Sequence, residues 1–388
     1  MKAYVVEKFI EVPEDLTLTE TSDPECPEDG MVIEVRASGI NFANLMFCQG
    51  KYQVKPKLPF IPGSDVAGII VQIGPKCPKP FALGQRVFGS GASYCEYVAL
   101  RPSQTVVFRV PGNISMAEAC ALPTNFPTSW IGLVNRGRLA RKEVALIHSG
   151  AGGIGNSGKL RLNPIQIAKH LGAYVIATVS SDDKMEACRE AGADVVLNYV
   201  ADKDWPEKVK EITRNIPGRT REGADVVLDP TGLIIPSTKC TAWNGRLLVV
   251  GFTGGNIENI PTNRLLLKNI TAMGVYLNGY RPNWGFADDK LEPEILADAW
   301  GGIFQMLQFG QARDGKPPHP ILYSEKYHGL EDIPRAMRDV SLTRKTFGKV
   351  VVTHGPEEPE PDRGAGGWLA MMANQEEEVD DDDDDDIE

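Results

Sequence analysis

No uncharged apolar run of eighteen residues occurs anywhere in the chain, so a membrane-spanning helix is not expected. Paired cysteines are missing as well. The seven thiols, Cys26, Cys48, Cys77, Cys95, Cys120, Cys188 and Cys240, are never closer than eighteen positions. That spacing excludes a Cys-x-x-Cys zinc lobe or redox pair and is that of scattered thiols in a reducing compartment. The opening stretch "MKAYVVEKFIEVPEDL" carries charges throughout, unlike the apolar segment of a secretory leader. A basic surface is lacking too. The formal charge is −11, yet residues 356–388 alone hold fifteen acidic groups against Arg363, which leaves the remainder at about +3. Such a nearly neutral body gives no case for nucleic-acid binding. A cytoplasmic protein is expected.

What is present is a 388-residue chain, 42% hydrophobic and 24% charged, long enough for two domains with ample cores. Up to about Asn125, short β-type runs ("KAYVVE", "MVIEVRA", "VAGIIVQIG", "QRVFG", "YCEYVAL", "TVVFRVP") are punctuated by Gly and Pro, the pattern of a barrel-like all-β unit. From about Thr128, apolar β-branched runs ("EVALIHS", "AYVIATVS", "ADVVLNY", "GADVVLDP", "GRLLVVGF", "ITAMGVYL") alternate with helical patterns. That alternation describes a parallel sheet covered on both faces. After about Gly279 the pattern predicts a long helix at "PEILADAWGGIFQMLQFGQ", a strand at "ILYSEKY", a helix at "LEDIPRAMRDVSLTR" and a last strand at "GKVVVTH". These elements are expected to return to the first unit. The α/β fold would then comprise a first unit over 1–126, an inserted doubly wound domain over 127–282, a return over 283–355 and an acidic tail over 356–388. The tail has too little apolar surface to offset its ordering entropy.

The stretch "IHSGAGGIGNSGKLRLNPIQIAKHLGAYVIATV" holds Gly150-x-Gly152-x-x-Gly155 between a buried strand and an apolar-periodic helix. This is the context in which glycines give a tight turn and let the backbone approach a dinucleotide pyrophosphate. The second strand of the unit ends in Ser180-Ser181 rather than in the acidic residue that takes NAD ribose hydroxyls. Small hydroxyl side chains leave room for a 2′-phosphate, and Lys184 can supply a cation, so this chemistry favours NADPH over NADH. Asp182 and Asp183 oppose that reading if they face the pocket. His148, on the strand before the turn, is expected to be a satisfied core histidine.

The blocks "ASGINFANLMFCQGKYQVKPKLPFIPGSDVAG", "HSGAGGIG", "GADVVLDPTG", "GRLLVVGFTGGNIENIPTNRLLLKNITAMGVY" and "TFGKVVV" together resemble the zinc-lacking quinone oxidoreductases of the medium-chain dehydrogenase/reductase (MDR) superfamily. The resemblance runs from Met1 to about Val352. It implies a GroES-like catalytic domain, an inserted Rossmann domain, a cleft between them for NADPH, and a homodimer. It assigns Asn41 to the nicotinamide side and Tyr52 to the substrate. Thr128, Gly251, Phe252 and Lys349 fall in the cofactor cleft, Gly150, Gly152, Gly153, Ile154 and Gly155 in the Gly-rich turn, and Ser180, Lys184 and Tyr199 in the 2′-phosphate pocket. Zinc-containing relatives have Cys where this chain has Ile40-Asn41, and His-Glu where it has Ser64-Asp65. No metal is therefore expected, and Asp65 reads as a structural carboxylate. The implied activity is NADPH-dependent hydride transfer to a quinone or other α,β-unsaturated carbonyl. The alternatives are an enoyl-thioester reductase or a catalytically weakened MDR-fold binding protein.

One departure bears on the last alternative. Nine residues, Asn156 to Pro164, separate the last glycine from Ile165-Gln166, about six more than in relatives. Proline inside a helix costs about 3 kcal/mol or more, whereas at the first helical position it is tolerated. The helix is therefore expected to restart at Pro164, behind Asn163 as cap. Moving the positive helix end away from the pyrophosphate is expected to lower, without abolishing, affinity for NADPH.

Overall fold

The computed structural model describes residues 1–148, 163–255, 257–281, 292–310, 317–320, 322–343, 346, 348–358 and 361. The first unit opens with the antiparallel pair β1 (Lys2–Tyr4) and β2 (Leu18–Glu20). Its main sheet is built on β3 (Met31–Ile40). One edge of β3 pairs along its length with β4 (Asp65–Ile73), which continues antiparallel into β5 (Arg86–Ser90). The N-terminal half of the other edge pairs with β6 (Tyr97–Leu100), and β7 (Val107–Arg109) closes on β5. Helix α1 (Phe42–Cys48) leaves the end of β3, and α2 (Met116–Cys120) and α3 (Asn125–Trp130) lead out of the unit.

The chain then builds a parallel sheet from β8 (Val144–Ile147), β9 (Tyr174–Val179), β10 (Val195–Asn198), β11 (Ala224–Asp229), β12 (Thr241–Val249) and β13 (Thr271–Gly274). Among the described residues their order is β10-β9-β8-β11-β12-β13, every pair parallel. Every residue of β8 and β11 is buried, which requires cover on both faces. That cover comes from α4 (Asn163–His170), α5 (Met185–Glu190), α6 (Trp205–Arg214), α7 (Ile234–Cys240) and α8 (Thr262–Lys268). In α6 the buried Trp205, Val209 and Thr213 recur every fourth residue, a stripe that turns Trp205 and Val209 onto Val144, Ile176 and Val227. Strand order reverses between β8 and β11, so the crevice beyond their carboxyl ends is the place where sheets of this kind bind ligands.

Helix α9 (Pro293–Phe309) joins the two lobes. Its buried Leu296, Ala299, Trp300, Ile303, Phe304 and Leu307 follow the helical period. Trp300 and Phe304 lie 4.9 and 5.0 Å, centroid to centroid, from Phe108 of β7. One apolar cluster thus runs from Phe88 of β5 through α9 to Val226 of β11. Beyond it, β14 (Tyr327–His328) and β15 (Val350–Thr353) flank α10 (Ile333–Arg338), and β15 pairs antiparallel with the C-terminal half of β3. The chain has returned to its first sheet, with the parallel sheet inserted. The fold is the expected MDR arrangement.

The stretch "ILYSEKY" is less of a strand than expected. Among the described residues, ladder pairing with β15 is confined to Tyr327 and His328, while Leu322 bridges to Lys349 and the Tyr323 N–H donates to the Lys349 carbonyl at 3.0 Å. Tyr327 is fixed from elsewhere, by its hydroxyl's bond to Asp339 (2.9 Å) and by Arg335 over its ring (4.3 Å). The start of the acidic tail is also tied down. A Glu358 carboxylate oxygen accepts the N–H of Met116 (2.8 Å), and Lys326 pairs with Glu357 (3.2 Å). Residues 362–388 lie outside the described part.

Candidate active site

Strand β3 turns into α1 at Asn41, whose backbone is extended (φ −124°, ψ 150°) and whose N–H donates to the Asn44 side chain at 2.8 Å. This fixes the Asn41 amide over the start of β4. There Nδ2 donates to Ser64 Oγ (2.9 Å) and Asp65 Oδ2 (2.7 Å), while Oδ1 accepts from Lys349 Nζ (2.7 Å). Lys349 also ion-pairs with Asp65. The other Asp65 oxygen accepts from Thr124 Oγ1 at 2.5 Å, and Thr128 Oγ1 donates to the Thr124 carbonyl at 2.6 Å. The group is sealed: Asp65 is 0% exposed, Lys349 4% and Asn41 5%. Gly39 makes room for it. A Cβ there would lie 2.7 Å from the Cβ of Asp65 and 2.9 Å from Lys349 Cε.

Three of the expected residues, Asn41, Thr128 and Lys349, are therefore assembled in one network, although they lie up to 308 positions apart. Asp65 is its hub. An ammonium faces Oδ1, which fixes the orientation of the Asn41 amide, and both amide hydrogens are already used. What remains for a ligand is one lone pair on Oδ1.

Tyr52 follows α1, its ring stacked on Phe47 at 4.3 Å. Burial first, then Tyr276, pushes its phenol up to about 12, and Arg281 pulls the other way. The phenol is neutral at physiological pH and can donate a proton. Arg281, which ends a short 3-10 turn over Leu277–Tyr280, feels Asp65, Tyr52 and Tyr276. Neither Arg281 nor Tyr276 was expected from sequence. No local pattern distinguishes them, because what brings Arg281 here is its contact with Pro123, 158 positions away.

The other expected residues lie along the carboxyl edge of the parallel sheet. Ser180 follows β9, Tyr199 follows β10, and Gly251 and Phe252 follow β12. Lys184 is buried with Nζ 3.4 Å from Ser180 Oγ. The Asp182 carboxylate accepts from Asn198 Nδ2 at 2.8 Å, so this acid is held by a side chain of its own sheet. At the end of β11, Asp229 accepts the N–H groups of Thr231, Gly232 and Leu233 (2.7, 3.1 and 2.5 Å) and shapes that side of the crevice. Burial raises its pKa to about 6, against those three bonds. His148 bonds Thr178 (2.8 Å) and Ser237 (2.7 Å) and packs on Trp205. With burial lowering its pKa to about 3, it is a neutral core residue. Gly150, Gly152, Gly153, Ile154 and Gly155 lie outside the described residues, as do Asn156 to Leu162. Helix α4 is described from Asn163, whose Nδ2 donates to Ser129 Oγ at 3.2 Å.

The donor set at the Asp65 network does not suit a catalytic zinc, which takes thiolate, imidazole and carboxylate ligands. Its one carboxylate is paired with Lys349, and its neighbours are amides and hydroxyls.

Comparison with known proteins agrees with this architecture. The alcohol dehydrogenase GroES-like domain model matches residues 27–130, and the zinc-binding dehydrogenase model matches residues 162–290. The quinone oxidoreductase-like protein 2 homolog of Nematostella vectensis is 32% identical over 325 residues, covering 82% of this chain and 80% of its own. Quinone oxidoreductase-like protein 2 of Rattus norvegicus is 32% identical over 346 residues, with 88% and 90% covered. Among solved structures, Escherichia coli quinone oxidoreductase complexed with NADPH superposes with a TM-score of 0.73 at 25% identity, covering 91% of this chain and all of the other. The chain belongs to the quinone oxidoreductase family of the medium-chain dehydrogenases/reductases.

Proposed function

We propose that the protein is a metal-independent, NADPH-dependent reductase that delivers a hydride to a quinone or another α,β-unsaturated carbonyl. The observation that carries this reading is the buried Asn41–Asp65–Lys349 network, a polar floor whose carboxylate is neutralised by an ammonium where zinc relatives have metal ligands. Bound NADPH would supply the hydride from its nicotinamide ring. The chain's own residues do the rest. Lys349 and Asp65 hold the Asn41 amide in one orientation, so that its free Oδ1 lone pair can orient a ring amide. Tyr52, kept protonated by burial, donates to the acceptor.

The adenosine end fits the same cofactor. Lys184 sits beside Ser180, which brings an ammonium and a small hydroxyl together after β9, the chemistry a 2′-phosphate needs. We also propose a homodimer, paired through the edge of β13 that has no partner strand among the described residues.

Titration of the full-length protein with NADPH and, in parallel, NADH, followed by nicotinamide fluorescence, tests the reading. Saturable binding with NADPH preferred, and turnover of a quinone and enone panel, is expected. If neither nucleotide binds, and binding returns on removal of six residues between Asn156 and Pro164, the chain in this form is not a working reductase.

A further inference from the structure

The near-neutral balance of residues 1–355 conceals a local excess of one sign. Between the helical run that ends at Arg136 and the start of β8, the chain reads "RGRLARKE". Arg136, Arg138, Arg141 and Lys142 are all exposed. The one acid of the stretch is already engaged: Glu143 accepts the Ala140 N–H at 3.0 Å, and its two oxygens accept from the terminal nitrogens of Arg246 at 3.0 and 2.5 Å. The turn itself is fixed on several sides. Arg246 Nε donates to the Gly137 carbonyl at 2.8 Å, the Lys142 N–H donates to the Gly172 carbonyl at 2.9 Å, and Leu139 is buried beneath. Arg138 and Lys142 take left-handed backbone (φ 43° and 68°), which side chains of this size hold only where the surroundings over-determine it. Arg141 lies across the turn after α4, where a Cβ on Gly172 would come 2.9 Å from its Cγ. Four cations thus stand on one rigid turn at the amino end of the parallel sheet, the end opposite the crevice.

The same chain carries the complementary charge. Residues 376–388, "EEEVDDDDDDDIE", hold eleven acids and no base. The start of the tail is placed by Glu358, which accepts the Met116 N–H. Eighteen residues lead from there to Glu376, a length that spans up to about 60 Å when extended and about 23 Å as a flexible coil. Met116 and Arg136 can lie no more than about 40 Å apart, because α2, α3 and the π-helical turn Ile131–Arg136 make up most of the chain between them and a helix rises about 1.5 Å per residue. Reach is therefore assured, and tethering holds the acids at a local concentration of about millimolar. We propose that the acidic tail docks on the 136–142 turn of its own chain. The tail then occupies the one strongly basic turn of the inserted domain and keeps other polyanions off it. Because that turn is at the amino end of the sheet, docking leaves the cofactor crevice open.

The test uses full-length protein in three forms: wild type, a variant with the seven aspartates at 380–386 replaced by Asn, and a triple variant, Arg136→Gln, Arg138→Gln and Arg141→Gln, that keeps Lys142. Carbodiimide joins carboxylates to amines that touch them. In wild type at low salt it is expected to link Lys142 to a carboxylate of residues 376–388 within one chain, as read by mass spectrometry. The link should be lost in the triple variant, and in wild type at about 1 M salt, where the Debye length is about 3 Å. The asparagine variant frees the turn. A labelled peptide of residues 376–388 is expected to bind it about tenfold or more tightly than it binds wild type, the margin that a tethered competitor at millimolar concentration gives. Equal peptide affinity for the two would overturn the proposal, as would cross-links to Lys51, Lys55 or Lys57 in place of Lys142. A cross-linked product of twice the chain's mass would assign the turn to the tail of a second copy. An oligothymidylate that binds wild type as tightly as the asparagine variant would assign it to nucleic acid, and either result removes the tail from its own chain's turn. None of these readouts depends on whether the chain reduces a quinone, so the proposal and the reductase reading stand or fall separately.

Discussion

At the scale of single residues, the site rests on how three polar side chains satisfy one another away from water. Asp65 and Lys349 are both sealed, and each accounts for the other's charge. Replacing Lys349 by Met leaves a buried carboxylate with only hydroxyl and amide donors. The expected loss is about 3–5 kcal/mol of folding stability, whereas Lys349→Met with Asp65→Asn should restore part of it, because the uncompensated charge is gone. Urea denaturation of the two variants checks this, and an additive double variant would mean that the two groups do not act as a pair. Sequence alone did not reach this network. Asn41, Thr128 and Lys349 came from the family resemblance, and Asp65 reads on its own as an ordinary structural acid. Its role as hub depends on contacts with Thr124 and Lys349, 59 and 284 positions away, and no local periodicity encodes such distances.

Among secondary-structure elements, the legible ones were those whose burial repeats with the element's own period. The apolar rows of β8 and β11 and the stripe of α9 could be read directly, since burial on both strand faces or on one helix face imposes the pattern. The stretch "ILYSEKY" could not, because the Tyr327 side chain that ends it is held by Asp339 and Arg335, contacts that a strand period does not encode. Helix α9 also sets two rules against each other. Gly302 lies in its middle, where glycine costs about 1 kcal/mol relative to alanine, so Gly302→Ala should stabilise on propensity alone. Yet a Cβ at that position would fall 2.0 Å from Cζ2 of Trp130, a rigid ring wedged between α3 and α9. Overpacking of this kind costs about 1–3 kcal/mol, and with no flexible neighbour to yield, it outweighs the propensity gain. The variant is expected to be less stable, with a lower denaturation midpoint and an unchanged m value; a rise in midpoint would show that Trp130 can shift.

For the whole molecule, the remaining question is what covers the far edge of the parallel sheet. Strand β13 pairs only with β12 among the described residues, and its residues are largely exposed. Helix α8 beside it buries none of its own, and Leu266 and Leu267 are 76% and 72% exposed, with Ile257 at 73%. An apolar edge strand left open is a template for unwanted pairing, and proteins protect such edges by covering or charging them. Among the described residues no further strand pairs with this edge, so a second copy of the chain is the economical cover. Two β13 strands related by a two-fold would join their sheets into one, with the leucines of both α8 helices meeting alongside. Sedimentation velocity of the wild-type protein is therefore expected to give a dimer. Leu267→Glu would put a carboxylate into the apolar contact without touching the core of either protomer, and should give a monomer with unchanged far-UV dichroism. Because the β13 edge lies at the opposite end of the sheet from β10, and the candidate site sits at the junction with the first unit, the monomer should bind NADPH as tightly as the dimer. A parallel loss of cofactor affinity would mean that this edge and the site are coupled, and that the dimer is part of the catalytic unit rather than cover for an exposed strand.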